Sequence, residues 1–151
     1  MTETIAKAEQ GDTESFLRLA QKFDFNTDDD TTPESLLWTL LHDMLGDRFG
    51  HFPAVRRPEG VPSTEDGLSF YQRPSFYAPG WEVTVLEVEY DDGGLMDFRP
   101  RILNEDTLAK GWSLLCADYP SVAIRISRLE YDRDDADMLL QLALLGKVVY
   151  C

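Results

Sequence analysis

The stretch that decides the fold is Trp81-Glu-Val-Thr-Val-Leu-Glu-Val-Glu-Tyr90, followed by Asp91-Asp-Gly-Gly94 and Leu95-Met-Asp-Phe-Arg-Pro-Arg-Ile-Leu103. Both long segments are rich in the β-branched, aromatic and apolar residues that favour strands. The Asp-Asp-Gly-Gly sequence between them is typical of a tight hairpin turn. The sequence therefore predicts an antiparallel hairpin in which two strands, 81–90 and 95–103, are joined by the turn.

The two strands of this hairpin differ in how their apolar residues alternate. In the second strand Met96, Phe98 and Ile102 alternate with charged residues, so we expect these three side chains to face inward. In the first strand apolar residues occupy both faces, which predicts a bulge or a strand covered on both sides. Pro100 cannot donate a backbone hydrogen bond, so it predicts that the second strand lies at a sheet edge or near its own end.

Helical periodicity and capping residues occur on both sides of the hairpin. Before it, apolar residues recur at helical spacing within 5–23, and Thr32-Pro-Glu34 begins a second helix that ends at Gly46. After it, one helix begins at Asn104 and ends before Pro120. A last helix, capped by Asp132 or Asp134, ends at Gly146.

Two further strands complete the predicted sheet. Val122, Ile124 and Ile126 alternate as a third strand, and Val148–Tyr150 is expected to close the sheet as a short fourth one. Residues 1–151 are thus predicted to form one α+β domain with a mixed sheet and helices packed on it. Its parts are helical residues 1–46, an irregular segment 47–80, and β-β-α-β-α-β in 81–151.

The irregular segment 47–80 contains five prolines and four glycines, which exclude a helix, and six aromatic residues, which favour order. A short strand is expected near Leu68–Tyr71. The aromatic and arginine residues that follow have the composition of interface hot spots. They are predicted to bind a partner, or alternatively to cover the core: Tyr71, Arg73, Phe76 and Tyr77.

The net charge of −14 lies entirely outside this segment, because residues 47–80 hold four acidic and four basic side chains. Such acidity argues against direct binding to nucleic acid or to anionic lipid, which require clustered Lys and Arg. It can also reflect solubility or adaptation to salt. The sequence shows no signal peptide and no apolar stretch of transmembrane length, so we expect a soluble cytoplasmic protein.

No motif in the sequence predicts catalysis, a metal site or a cofactor. His42 and His51 lack further ligands at a metal-binding spacing, and the aspartate runs fail the calcium-loop pattern. Cys116 lies on an apolar helix stripe, where a thiol acts as a small hydrophobic group. Glu87 and Glu89 are expected to be ordinary surface acids on one strand face.

The composition favours a non-enzymatic, acidic binding or inhibitor protein that engages a basic protein surface. Two kinds of protein fit this description: a nucleic-acid mimic that blocks a defence complex, and an immunity protein or antitoxin. The predicted acidic binding face consists of Asp28, Asp29, Asp30, Glu130, Asp132, Asp134, Asp135 and Asp137.

Two alternatives remain open at this stage. One is a small enzyme whose site lies under segment 47–80, where Arg56, Arg57 or Arg73 would hold an anionic substrate and His51 would transfer protons. The other is an accessory subunit of a larger complex, in which a homodimer would form through sheet edges or through the neutral segment.

Overall fold

Five α-helices, two short 3-10 helices and a three-stranded antiparallel sheet form the part of the chain that the computed structural model describes, residues 14–46, 49–59, 69–90, 92–94 and 96–150. The helices are α1 (residues 14–22), α2 (Pro33–Gly46), α3 (Glu105–Asp118), α4 (Pro120–Ser127) and α5 (Arg133–Leu145). The strands are β1 (Ala54–Arg56), β2 (Glu82–Tyr90) and β3 (Met96–Asn104). The predicted α+β class and single domain are confirmed.

The sheet has the order β1-β2-β3, and the predicted hairpin is its main part. β2 and β3 pair without interruption from Glu82↔Asn104 to Tyr90↔Met96, so the predicted bulge is absent from this ladder. β2 is instead covered in part on both faces, since Val85 and Val88 are both buried. Pro100 lies on β3, which is an edge strand of this sheet, as the sequence predicted.

The predicted strand Val122–Ile126 is wrong, because these residues lie in α4. Pro120 occupies the first turn of this helix, where its missing N–H costs nothing. The buried residues Val122, Ala123 and Ile126 recur at helical spacing, so their contact with the core outweighs the β propensity of the alternating pattern.

The other two expected strands are also not found among the described residues. Residues 148–150 form no strand, and the side chain of Gln141 binds the backbone of Val149 and Tyr150 instead. The described part of the predicted strand near Leu68–Tyr71 contains a 3-10 helix, Phe70–Gln72, and a second one follows at Pro74–Tyr77. Residue 68, the predicted helix before residue 14 and the first residue of the hairpin turn lie outside the described residues.

The helix ends agree with the capping residues in the sequence. The Asn104 side chain accepts a hydrogen bond from Thr107 N and begins α3, while the Asp132 side chain accepts one from Asp135 N and begins α5. Gly146 ends α5 with a φ of 75°, a left-handed conformation that glycine adopts without strain.

The core lies between the helices and one face of the sheet. α3 and α5 pack so closely that a Cβ atom added at Gly111 would lie 2.6 Å from the backbone N of Ala143. On the sheet, the odd-numbered residues Val83, Val85 and Leu103 are buried against the helices. We call the odd-numbered residues of β1–β3 the inner sheet face and the even-numbered residues the outer sheet face.

The predicted orientation of β3 is wrong. Met96, Phe98 and Ile102 belong to the outer sheet face and are exposed, whereas Leu103 is the buried residue. The reason is the register with β2: Phe98 pairs with Val88 and Ile102 with Thr84, so all four side chains share the face that the helices do not cover. The apolar character of Met96, Phe98 and Ile102 predicts inward-facing side chains, but the strand register determines which face they occupy.

Candidate functional site

A buried carboxylate lies at the centre of the inner sheet face. Glu87 follows Val83 and Val85 on this face and is only 2% exposed. Its Oε1 atom accepts hydrogen bonds from Nε and a terminal nitrogen of Arg101 at 2.9 and 2.8 Å. The expectation that Glu87 is an ordinary surface acid is therefore wrong, because two-residue alternation carries its side chain inward with the buried valines.

Tyr150 connects this carboxylate to a histidine. The Tyr150 hydroxyl donates to Glu87 Oε2 at 2.6 Å, and the Tyr150 ring stacks on the His51 ring with centroids 4.3 Å apart. His51 Nε2 in turn donates to Asp137 Oδ1 on α5 at 2.7 Å, and both side chains are largely buried. Residues far apart in sequence thus form one polar network.

Gln141 completes this network and holds the segment after α5 in place. Its side chain is fully buried on α5. The Gln141 Oε1 atom accepts 2.8 Å hydrogen bonds from the backbone N–H groups of Val149 and Tyr150. Its Nε2 donates to Asp137 Oδ2 and to the Tyr150 carbonyl oxygen at 2.9 and 3.1 Å. One glutamine therefore satisfies both the backbone of residues 149–150 and the carboxylate that binds His51.

The electrostatics of the network favour a negative Glu87 and a neutral Tyr150. Burial opposes ionisation of Glu87, but hydrogen bonds from Tyr150 and Arg101 and the positive charge of Arg101 outweigh it and lower the Glu87 pKa. The hydrogen bond to Glu87, followed by burial and the adjacent negative charge, raises the pKa of Tyr150 to about 12. Both groups thus keep their ordinary charge at neutral pH.

The network contains the groups of a general base but uses them within the chain. A histidine oriented by an aspartate is the arrangement found in many acid–base catalysts. Here both oxygens of Glu87 and both oxygens of Asp137 accept hydrogen bonds from the protein itself. The arrangement is therefore well suited to anchoring residues 149–150 on the inner sheet face.

The predicted acidic face separates into inward and outward side chains at the start of α5. Asp135 is buried and accepts two hydrogen bonds from Arg125, at 2.8 and 2.7 Å, which lower its pKa. Asp137 binds His51 and Gln141, and Asp132 caps α5. Of the acids predicted here, Glu130, Asp132 and Asp134 remain exposed.

The other predicted acids precede α2. Asp28, Asp29 and Asp30 are all exposed in the connection between α1 and α2. Asp28 accepts a 3.2 Å hydrogen bond from the backbone of Asp30, which stabilises the local turn. No ion pair involves any of these three side chains within the described part of the chain.

The predicted aromatic binding residues pack partly into the core. Tyr77 is buried, contacts Phe16 and Trp81, and donates a 2.8 Å hydrogen bond to the carbonyl oxygen of Tyr71. Phe76 and Tyr71 are partly buried and pack against the same core, and Arg73 is half-buried. This part of segment 47–80 therefore serves as core cover in its described residues.

His42 lies on α2 at the edge of the same aromatic group. Its ring stacks on the exposed Trp38 ring, and its Nε2 accepts a 2.9 Å hydrogen bond from Gln72. The Trp38 indole donates to the Gln72 carbonyl oxygen at 3.3 Å. These contacts fix the 3-10 helix Phe70–Gln72 on α2, so His42 and His51 lie in separate environments.

The outer sheet face carries exposed apolar residues that the sequence alone did not indicate. Four of its apolar residues are exposed: Tyr90 by 67%, Met96 by 55%, Phe98 by 51% and Ile102 by 38%. Its only charged members in the described strands are Arg56 and Glu82. The strand register would have revealed this surface, because Phe98 is opposite Val88 rather than opposite an inner residue.

Comparisons with protein-family models, curated proteins and solved structures found no match to this chain. Among the described residues, no helix is both long and apolar enough to cross a membrane. The same residues contain no group of three His, Cys, Asp or Glu side chains placed to hold a metal ion. The function therefore has to be inferred from the surfaces and the polar network.

Proposed function

We propose that this protein is a non-enzymatic binding protein that engages a basic surface of another protein. The observation that supports the proposal is the separation of the acids at the start of α5. Asp135 forms an ion pair with Arg125 and Asp137 accepts a hydrogen bond from His51 within the protein, while neighbouring carboxylates are left on the surface. The outward acids, with those before α2, are Asp28, Asp29, Asp30, Glu130, Asp132 and Asp134.

Except for Asp132, which caps α5, these outward carboxylates contribute little to folding. Apart from the local contacts of Asp28 and Asp132, they make no hydrogen bond or ion pair in the described residues. They lie in a chain of net charge −14, so a basic partner would be attracted over a long range and would associate faster. A nucleic-acid mimic and an immunity or antitoxin protein are the two classes consistent with such binding.

The test compares two variants that remove the same kinds of charge from different places. Glu130→Gln with Asp134→Asn neutralises the α5 side, and Glu82→Gln with Asp92→Asn neutralises exposed acids of the hairpin. Each tagged protein is used to capture partners from an extract of the native host at low salt, followed by washes of rising salt.

We expect one basic protein to be retained by the wild type and by the hairpin variant, and to be released by salt. The α5-side variant should lose it at lower salt. Equal loss from both variants would show that only net charge matters, which contradicts a defined binding face. Absence of any partner at low salt would likewise overturn the proposal.

A small enzyme is the second candidate, and the contact between His51 and Asp137 is the observation that favours it. The carboxylate at 2.7 Å orients the imidazole as in a general base. The conservative variant His51→Gln separates the two functions. If His51 is catalytic, a host strain that carries only His51→Gln should behave like a strain that lacks the protein, while folding and partner capture persist. If the protein only binds a partner, the behaviour of the strain and partner capture should change together.

A further inference from the structure

The outer sheet face points to an interaction surface other than the acidic one. We propose that this face is the interface between two copies of the chain, which stack sheet against sheet in a symmetric dimer. The inference does not depend on the basic partner proposed above, and its test has a different salt dependence.

The exposed apolar side chains of the outer sheet face lie next to one another. Moving from the hairpin turn toward the helices, the paired rows of the face are Tyr90–Met96, Val88–Phe98 and Leu86–Pro100, which contain no charge. Ile102 follows in the next row, opposite Thr84. Val88 is itself buried, but Tyr90, Met96, Phe98 and Ile102 are exposed in neighbouring rows and form an apolar patch. A patch of a few hundred Å² is often functional.

The outer sheet face also differs in charge from the rest of the protein. Two copies of a chain of net charge −14 repel each other wherever their acidic surfaces meet. On the outer sheet face the single base, Arg56, offsets the single acid, Glu82, and both lie in the rows farthest from the hairpin turn. This face is therefore where a second copy can approach with little electrostatic cost.

The same charge balance favours a second copy of the chain over a basic protein as the molecule that covers the outer sheet face. A basic partner gains no electrostatic attraction from an uncharged face, so the face does not fit the partner proposed for the acidic side. An uncharged, apolar surface is best covered by another of the same kind. In a dimer with a two-fold axis, each copy presents the same apolar patch to the other.

The amount of exposed apolar surface is consistent with a modest dimer. Tyr90 and Phe98 are aromatic side chains of about 150–250 Å² and are more than half exposed, and Met96 and Ile102 add smaller areas, so the four residues together offer on the order of 400 Å² per copy. Two copies would bury roughly half of a standard interface of about 1,600 Å² through these residues alone. The remaining even-numbered positions of the strands supply further contact area.

Stacking of faces fits the edge strand better than extension of the sheet. Pro100 lies midway along β3, and no strand among the described residues pairs with the edge of β3 that is opposite β2. Proline on an edge strand discourages pairing with a strand of another chain. The dimer is therefore expected to form through side chains of the outer sheet face and to leave the β3 edge unpaired.

The test is the molar mass of the full chain in solution, measured by sedimentation velocity and by light scattering over a concentration series. We expect the wild type to approach twice the 17.2 kDa chain mass as concentration rises. The variant Phe98→Glu adds a charge in the middle of the patch. It should raise the dimer dissociation constant at least about thirty-fold, as expected for the loss of a central hot spot.

The matched control is Ile124→Glu on α4. Ile124 is 50% exposed and Phe98 is 51% exposed, so both changes add one acid at an equally exposed apolar residue. The control should leave the dissociation constant unchanged within about three-fold, since it lies outside the proposed interface. Circular dichroism establishes that both variants are folded.

Salt separates this inference from the proposed function. Screening weakens the repulsion between acidic copies, so the dimer should become tighter as sodium chloride rises from about 0.05 to 0.3 M. Binding to a basic partner should weaken over the same range. A monomeric wild type at the highest concentration and salt, or equal mass distributions for Phe98→Glu and Ile124→Glu, would overturn the dimer, whether or not a basic partner is found.

Discussion

The Tyr150 hydroxyl lies 2.6 Å from Glu87 Oε2, although the two residues are 63 positions apart in the chain. This hydrogen bond joins the segment that follows α5 to the inner sheet face. It also supplies a donor to a carboxylate that is almost fully buried. Burial of a charge is costly unless donors of this kind are present, so the contact should contribute measurably to stability.

The variant Tyr150→Phe removes this donor and retains the ring that stacks on His51. We expect it to lower the free energy of unfolding by about 1–3 kcal/mol, because Glu87 keeps only its contacts with Arg101. Urea unfolding followed by circular dichroism at pH 7 measures the change. The matched control is Tyr90→Phe, which removes a hydroxyl from an exposed ring and should change stability by less than about 0.5 kcal/mol. Equal values for both variants would contradict the role given to Tyr150.

Acid should destabilise the protein through Glu87 and Asp135. Both have pKa values below their usual range in the folded state. Their contribution to stability is therefore fully present when the pH is above the pKa values of the unfolded chain, about 4.3 for Glu and 3.9 for Asp. It is lost as the pH falls through the lower pKa values of the folded protein. Urea unfolding at pH 7, 4 and 3 measures the loss. A free energy of unfolding that is constant across this range would exclude the effect.

Alkaline solution should weaken the fold through Tyr150. Its pKa is raised to about 12, so its contribution is fully present below the unfolded value of about 10 and is lost as the pH rises toward 12. Thermal unfolding of wild type and Tyr150→Phe at pH 9 and 11.5 tests this. The buried Tyr77, whose pKa is also raised, is present in both proteins. The difference in stability between the two proteins should shrink at pH 11.5; a constant difference would count against the effect.

Gly111→Ala should destabilise the packing of α3 on α5. An exposed helical glycine usually gains about 0.5–1 kcal/mol on this change. Here the new Cβ would meet Ala143 backbone atoms at 2.6 and 2.7 Å, so the helices must separate, and we expect a loss of about 1–3 kcal/mol. Gly50→Ala, where the added Cβ has open space, serves as the control in the same thermal unfolding experiment. A stabilised Gly111→Ala protein would show that the contact is looser than described.

Asp134 and Asp135 should respond differently to the same substitution. Asp135→Asn removes the charge that binds Arg125 at a buried position, and we expect a loss of about 1.5–3 kcal/mol. Asp134→Asn changes an exposed side chain and should alter stability by less than about 0.5 kcal/mol. Chemical unfolding at neutral pH measures both, and similar losses would contradict the separation of this acidic run into inward and outward groups.

Local rules predicted most of the regular structure. Caps and stop residues such as Asn104, Asp132 and Gly146 placed α3 and α5, and the glycine-containing turn placed the hairpin. α4 was mistaken for a strand because its β-branched residues also fit a two-residue period. The position of Pro120, two residues after the end of α3 and at the start of a new helix, is the local feature that indicates a helix here.

The candidate site was much less predictable. His51 and Asp137 are 86 positions apart, and nothing in either local sequence indicates their contact. The position of Glu87 could have been deduced from its spacing with Val83 and Val85, had alternation been given more weight than polarity. Predicting the exposed outer sheet face requires the register of β2 with β3 and the knowledge of which face of the hairpin packs against the helices. Neither follows from the local sequence.

The polar network also bears on how long a folded molecule persists before it opens. The hairpin and each helix can form from neighbouring residues, but Glu87 and His51 obtain Tyr150 and Asp137 only after long loops have closed. Contacts made after the folding barrier retard unfolding and leave the folding rate nearly unchanged. We therefore expect stopped-flow kinetics of Tyr150→Phe to show a faster unfolding limb and an unaltered refolding limb, so that the residues following α5 govern the lifetime of the native state.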